Sequence, residues 1–274
     1  MTDLRLIDER SHLRADCSRC AGLCCVAPAF AASADFAIDK PAGHACPNLQ
    51  DDFRCGIHAR LRERGFPGCT VFDCFGAGQR ITQDTFGGRS WREAPELATA
   101  QFAVLPVMRQ LHEALWHLTE ARTIGAAEAL HGEIRALVEQ TERLAGGSAE
   151  ELTALDVTAH RARVGELLQR VSEAARVGVR GRGRDRPGAD LVGKDLRRMN
   201  VRGACLRGAY LIGADLRGAD LQATDLLGAD LRAADVRGTD LRGALFLTQP
   251  QVGAATGDDV TQIPAGLARP AHWA

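Results

Sequence analysis

From residue 188 to about residue 247 the chain repeats every five residues: GADLV, GKDLR, RMNVR, GACLR, GAYLI, GADLR, GADLQ, ATDLL, GADLR, AADVR, GTDLR, GALFL. Five is neither the helical nor the strand period, so the tract must fold as one array, a solenoid in which each unit packs on its neighbours. An apolar residue holds the centre of every unit, from Leu191 through Leu206 and Leu226 to Phe246. Two residues earlier stands a small side chain, Ala204, Ala209, Ala214, Thr224 or Thr239 among them, so the interior admits one large and one small side chain per unit. Lys194 and Met199 depart from the small-residue rule.

These units resemble the pentapeptide-repeat family, whose A-(D/N)-L-x-x motif implies a right-handed quadrilateral β-helix with four pentapeptides to a coil. Twelve units then make three coils, a stub only about 15 Å tall at strand spacing. Residues twenty apart would stack, placing Asp195, Asp215 and Asp235 in one column and Arg197, Arg217 and Arg237 beside it. Those columns read as a solvated ion ladder or, more sharply, as a docking face for a protein partner. Some members of the family protect DNA gyrase by imitating duplex DNA with a long acidic rod. The short rod and matched arginines here disfavour gyrase as a partner. Repeat proteins of this kind can also associate end to end, which leaves a homodimer open. Cys205 replaces the usual Asp or Asn and reads as an incidental, outward-facing thiol.

The other cysteines crowd into the first quarter: Cys17, Cys20, Cys24, Cys25, Cys46, Cys55, Cys69 and Cys74. The first residues mix charges into every turn without a leader-like apolar run, and no stretch is long enough to span a bilayer, so a soluble cytoplasmic chain is expected. In such a compartment crowded thiols favour metal over disulfides. The C-x2-C spacing of Cys17 and Cys20 can present two sulfurs to one ion. Adjacent Cys24 and Cys25 are expected to split between sites or to serve a polynuclear centre, and eight thiols suit two tetrahedral sites or one cluster with spare thiols. His58, three residues after Cys55, is a further candidate ligand, and His44 a weaker one.

The tract 17–76 resembles a zinc- or iron-chelating family named for its CxxCxxCC signature, carried here by CSRCAGLCC, Cys46-Pro47, Phe53-Arg54-Cys55 with Ile57-His58, and Cys69 through Cys74. Three residues rather than two separate Cys20 from Cys24. The resemblance implies metal: zinc, with iron or an iron–sulfur cluster as the alternative.

Between these ends the pattern is helical. Leu97, Val104, Met108, Leu111, Leu115 and Leu118 recur at helical spacing after Pro95, with a kink expected at Pro106. Leu130, Ile134, Leu137 and Leu144 mark a second helix, and Ser148 with Glu151 reads as a capping box opening a third along Leu152, Leu155, Val164, Leu167 and Val171. The chain therefore reads as a multidomain protein: a Cys-rich metal-stapled domain at 1–92, an α-helical hairpin or bundle at 93–178, a solvated Gly/Arg linker at 179–187, the repeat β-helix at 188–247 and a capping tail at 248–274.

The formal net charge of −1 excludes a global electrostatic magnet for nucleic acid or membrane. No nucleophile triad, phosphate loop or catalytic carboxylate pair stands out, and Phe75-Gly76-Ala77-Gly78-Gln79 lacks the context of a nucleotide loop. Whether the chain is an enzyme stays open. The leading expectation is a metal-stabilised adaptor; the alternatives are a redox or modifying metalloenzyme at the cysteines and a topoisomerase-protecting decoy.

Overall fold

The computed structural model describes residues 9–273. It divides into two units: residues up to 122 with 131–167 form one, and 123–130 with 168 onwards form the other.

In the repeat-bearing unit, parallel bridges join residues twenty apart: Asp190 to Tyr210 to Asp230, Asp195 to Asp215 to Asp235, Cys205 to Asp225 to Leu245, and Asp220 to Asp240. Four pentapeptides therefore make each turn of the ladder. The bridges remain isolated, and the expected β-helix has no continuous strand among the described residues. The reason is local. Most pentapeptides turn a corner through a left-handed residue, such as Gly208 (φ +65°) or Gly228 (φ +66°), so no extended run lasts. Ala223 and Ala233 occupy that corner position in two units, each at φ +55°, and bear the strain glycine avoids.

Inside the stack, Leu196, Leu206, Leu211, Leu216 and Leu226 are fully buried, as are Ala204, Ala209 and Ala214. The threonines at small positions are satisfied: Thr224 Oγ1 donates to Val201 O at 2.7 Å and Thr239 Oγ1 to Leu216 O at 2.9 Å. Lys194 escapes the interior and is exposed, while Met199 packs half-buried against the apolar core.

The Gly/Arg segment is not simply a solvated linker. Gly183 N–H donates to Arg202 O, Arg186 N–H to Cys205 O and Gly188 N–H to Arg207 O, so its second half is already laid along the first turn. Asp185 takes the Cys205 N–H at 2.8 Å and the buried Arg176 guanidinium at 2.8 Å. After the last unit, Thr256 bridges to Asp235 and Gln262 to Asp240, extending the ladder, and buried Trp273 packs over Gly257.

The other unit carries the eight cysteines of the first quarter. Short helices α1 (Leu23–Val26), α2 (Pro67–Thr70) and α3 (Ala77–Arg80) are set among turns and two antiparallel bridges, Phe30 to Lys40 and Leu49 to Cys55. Helix α4 (Ala98–Ala121) runs through Pro106 and buries the predicted face, with Val104, Met108, Leu111 and Leu118 fully covered. Helix α5 (His131–Ala145) buries Ile134 and Leu137.

The predicted third helix is two. The capping box opens α6 (Ala149–Ala154), but Leu155 is extended (ψ 129°) and α7 (Val157–Val177) begins anew. Asp156 explains the break: its carboxylate takes the Ala159 N–H at 3.0 Å, a fresh N-cap. The cysteine segment also does not stand on metal alone, because Leu23, Val26, Ala77 and Ile81 share one core with Val104, Leu105, Met108, Leu111 and Leu152. No helix among the described residues is long and apolar enough to cross a membrane.

Denaturant unfolding of the whole chain separates these effects. Leu226→Ala, at a fully buried site, is expected to destabilise the repeat unit by about 2–5 kcal/mol. Ala233→Gly, relieving φ +55°, should stabilise it by about 0.5 kcal/mol, the left-handed strain exceeding the added chain entropy.

Candidate metal centre

Turn chemistry brings the cysteines together. Gly22 (φ +65°) opens α1, where a Cβ would lie 2.8 Å from Leu49 Cδ1 and 3.2 Å from Phe53 O, so only glycine lets Cys24 and Cys25 enter the helix there. Asp16 caps the turn Cys17–Arg19 by accepting from Ser18 N–H. Gln79 ties that segment to α3: its Oε1 accepts from Asp16 N–H at 3.0 Å and its Nε2 donates to Arg14 O at 2.7 Å.

Cys17, Cys20, Cys24 and Cys74 line one cavity of about 20 Å³, walled also by Gln79 and Leu105. That is room for a single small occupant. Gly78 is part of the design, since a Cβ there would meet Cys20 Sγ at 2.6 Å. The N–H groups of Gly22 and Leu23 favour a charged sulfur at Cys20, and those of Gly76 and Gly78 do so at Cys74. Burial opposes them, pushing the Cys20 thiol up to about 11 and raising Cys17 and Cys74.

Cys25, Cys46, Cys55 and Cys69 form a second group. Cys46 N–H donates to Cys25 O at 2.9 Å. Cys55 and Cys69 pack half-buried against Ile57, Leu61 and Phe66. The Cys69 thiol is pushed up to about 11 by burial and by the charges of Cys25, Cys46 and Cys55. The two groups adjoin at the vicinal pair, whose sulfurs face each other at 3.9 Å rather than pointing apart. The hydrogen bond between them, in which either sulfur can donate, and burial raise the Cys24 thiol, while the same bond and the Lys40 charge lower that of Cys25.

As the side chains stand, no three His, Cys, Asp or Glu groups among the described residues converge tightly enough to hold an ion. The donor chemistry and the single-occupant cavity nevertheless fit a thiophilic ion once the sulfurs turn inward. His58 lies exposed on the turn His58–Arg60, and His44 is exposed with Nδ1 3.1 Å from Ala42 O. Cys205 is half-buried in the repeat tract, its thiol raised by burial.

Lys40 had no sequence signal. Its side chain is buried, and Nζ donates to Val26 O (3.1 Å), Pro28 O, Pro41 O (3.3 Å) and His44 O (3.0 Å). It thereby holds the chain after Cys25 against the chain before Cys46. Gly78 and Gln79 were visible only as part of a failed nucleotide loop; their roles depend on contacts with a segment some sixty residues away.

In the repeat tract the expected columns form. Arg197, Arg217 and Arg237 each clasp the aspartate two residues earlier, with Nη2 to Oδ2 distances of 2.7, 2.7 and 2.6 Å. Arg197 also reaches Asp215 at 3.3 Å, and Arg217 reaches Asp235 at 3.6 Å, linking successive turns.

A model of the pentapeptide repeats (8 copies) matches residues 188–218 and 209–246. The chain is 56% identical over 264 residues to YybG of Bacillus subtilis (strain 168), an uncharacterised protein, with 95% of each chain covered. A pentapeptide repeat protein of the Arabidopsis thaliana thylakoid lumen, known from a crystal structure, is 26% identical, covering 31% of this chain and 61% of its own, at a TM-score of 0.12.

Two outcomes test this geometry. Lys40→Met strands four carbonyls and should cost about 1–3 kcal/mol in urea unfolding. Alkylation of metal-free protein at pH 8, mapped by peptide mass, should modify Cys25, whose thiol is lowered, before Cys20 or Cys69, held near 11.

Proposed function

The chain belongs to one family with YybG and carries pentapeptide repeats in its carboxy-terminal quarter, and on that premise we propose that it is a metal-binding adaptor. The cysteine-bearing unit binds zinc, and the repeat tract, a right-handed quadrilateral β-helical solenoid, offers a face to a protein partner. The observation that carries the reading is the cavity lined by Cys17, Cys20, Cys24 and Cys74, with four further thiols beside it. Thiolates supply the soft donors that zinc and iron take, and backbone N–H groups directed at Cys20 and Cys74 sulfur are what a charged ligand requires.

The partner face is argued from charge. Each of Asp195, Asp215 and Asp235 is bound by its own arginine, which supports a protein surface of mixed sign over imitation of duplex DNA, where a uniformly acidic face is needed. The ladder is also a pH reporter. Arg197 holds the exposed Asp195 carboxyl down at about 2, against an ordinary 3.8. A lowered carboxylate supports the fold above the ordinary value, and that small support disappears as pH falls from 3.8 towards 2.

Elemental analysis of protein purified without added metal or oxygen should find two zinc ions per chain and no visible absorption. Cys17→Ser and Cys69→Ser should each lose one. Stoichiometric iron with thiolate charge-transfer bands would replace this reading with a redox centre, and metal-free protein would remove it.

A further inference from the structure

Charge is unevenly spread along the repeat-bearing unit. Residues 199–247 carry six arginines and six aspartates, and all of them are joined in ion pairs. Residues 179–198 carry seven cations against Asp185, Asp190 and Asp195, a surplus of four positive charges. Arg182 binds Asp185 and Arg197 binds Asp195, whereas Arg180, Arg184, Arg186, Lys194 and Arg198 are exposed and make no ion pair among the described residues. The ladder holds this surplus in place. The N–H groups of Gly183, Arg186 and Gly188 donate to the first turn, and Asn200 Nδ2 donates to Gly181 O at 2.7 Å. The resulting register sets Arg184 where later turns have Ala204 and Thr224, Arg186 where they have Leu206 and Leu226, and Lys194 where they have Ala214 and Ala234. Those later residues are buried, while the three cations that share their register stay exposed. Lys194 and Arg198 also bracket Asp195 and Arg197, the first rung of the charge ladder.

Resting on the partner reading above, we propose that the first turn of the repeat tract binds an acidic segment of a partner protein. Carboxylates of that segment take the guanidinium groups that lack a partner within the chain, in the forked geometry arginine favours. The same segment continues onto the ladder face, which begins between Lys194 and Arg198. Asp190 and Asp195 stand among these cations, and this selects the class of anion. A peptide can space its acidic side chains to avoid the two carboxylates. Duplex DNA, with one negative charge per about 1.7 Å of axis, would be driven onto them. The fully paired later turns present charge of both signs equally, so the first turn is what gives the partner its sign.

The test is fluorescence anisotropy of the full chain with a labelled peptide of alternating glutamate and glycine and, in parallel, a labelled short DNA duplex. The peptide is expected to bind, and to bind less tightly as salt is added. Arg184→Gln and Arg198→Gln should each weaken it about two- to fivefold without moving the thermal melt, and Asp190→Asn should strengthen it. Arg237→Gln removes the same charge from a paired position two turns on and should leave peptide binding unchanged, which a general effect of net charge would not. Equal losses from Arg237→Gln, tighter binding of the duplex than of the peptide, or no peptide binding at low salt would overturn the proposal. So would self-association of the Arg184→Gln, Lys194→Gln double variant with peptide binding intact, which would assign these charges to keeping solenoid ends apart. Zinc content is measured separately on the same protein, so failure here leaves the metal reading standing, and metal-free protein that binds the peptide leaves this site standing.

Discussion

Burial of Leu23 and Val26 from α1, and of Ala77 and Ile81 from α3, against Val104, Met108 and Leu111 of α4 is the contact on which the cysteine geometry depends. Those two short helices carry or adjoin Cys24, Cys25 and Cys74, and neither is long enough to persist by itself. Seated on α4, they bring sulfurs from residues 24 and 74 to one cavity. The thiols are thus partly preorganised by ordinary apolar burial, which lowers the ordering cost an ion would otherwise have to overcome. A segment with so little regular structure need not be unfolded without metal, unlike small zinc domains that lack a core.

The repeat was legible because its physics is one-dimensional. A residue such as Leu206 is buried by its own unit and by units one turn away, so the five-residue pattern marks the interior, and the four units per coil that the family resemblance implies mark the stacking of Asp195 on Asp215. The apolar face of α4 was legible for a similar reason: Val104, Met108, Leu111 and Leu118 follow the helical period whatever they pack against. Local chemistry also carried the Ser148–Glu151 capping box. The same kind of signal, Asp156 as a second N-cap, was present and outweighed by the continuing apolar period.

What escaped sequence reasoning is what depends on distant partners. Lys40 reads as one more solvated charge until the carbonyls of Val26 and His44 are seen to close around it. Gly78 reads as a turn residue until Cys20 Sγ is placed against it. The fusion of the cysteine segment with α4 into one core was hidden because Leu23, Val26, Ala77 and Ile81 are too scattered to show a period. The Gly/Arg segment was misread in the same way. Its composition is that of a linker, but Gly183 has its Cβ position 2.1 Å from Asn200 O, and no other residue could lie so close to the first turn.

The arginine that follows Asp195, Asp215 and Asp235 by two residues resolves a problem the repeat creates for itself. Stacking identical units twenty residues apart forces like charges into register, and Asp195 over Asp215 over Asp235 would repel along the whole column. Placing Arg197 and Arg217 one step along the turn lets each guanidinium bind its own carboxylate and the next one, at 3.3 and 3.6 Å. The pairs are exposed and individually weak. Their value lies in cancelling a repulsion that grows with every added turn, and the resulting face is regular and close to neutral. A protein partner of the kind proposed would read such a surface by the spacing of its charges rather than by their sum.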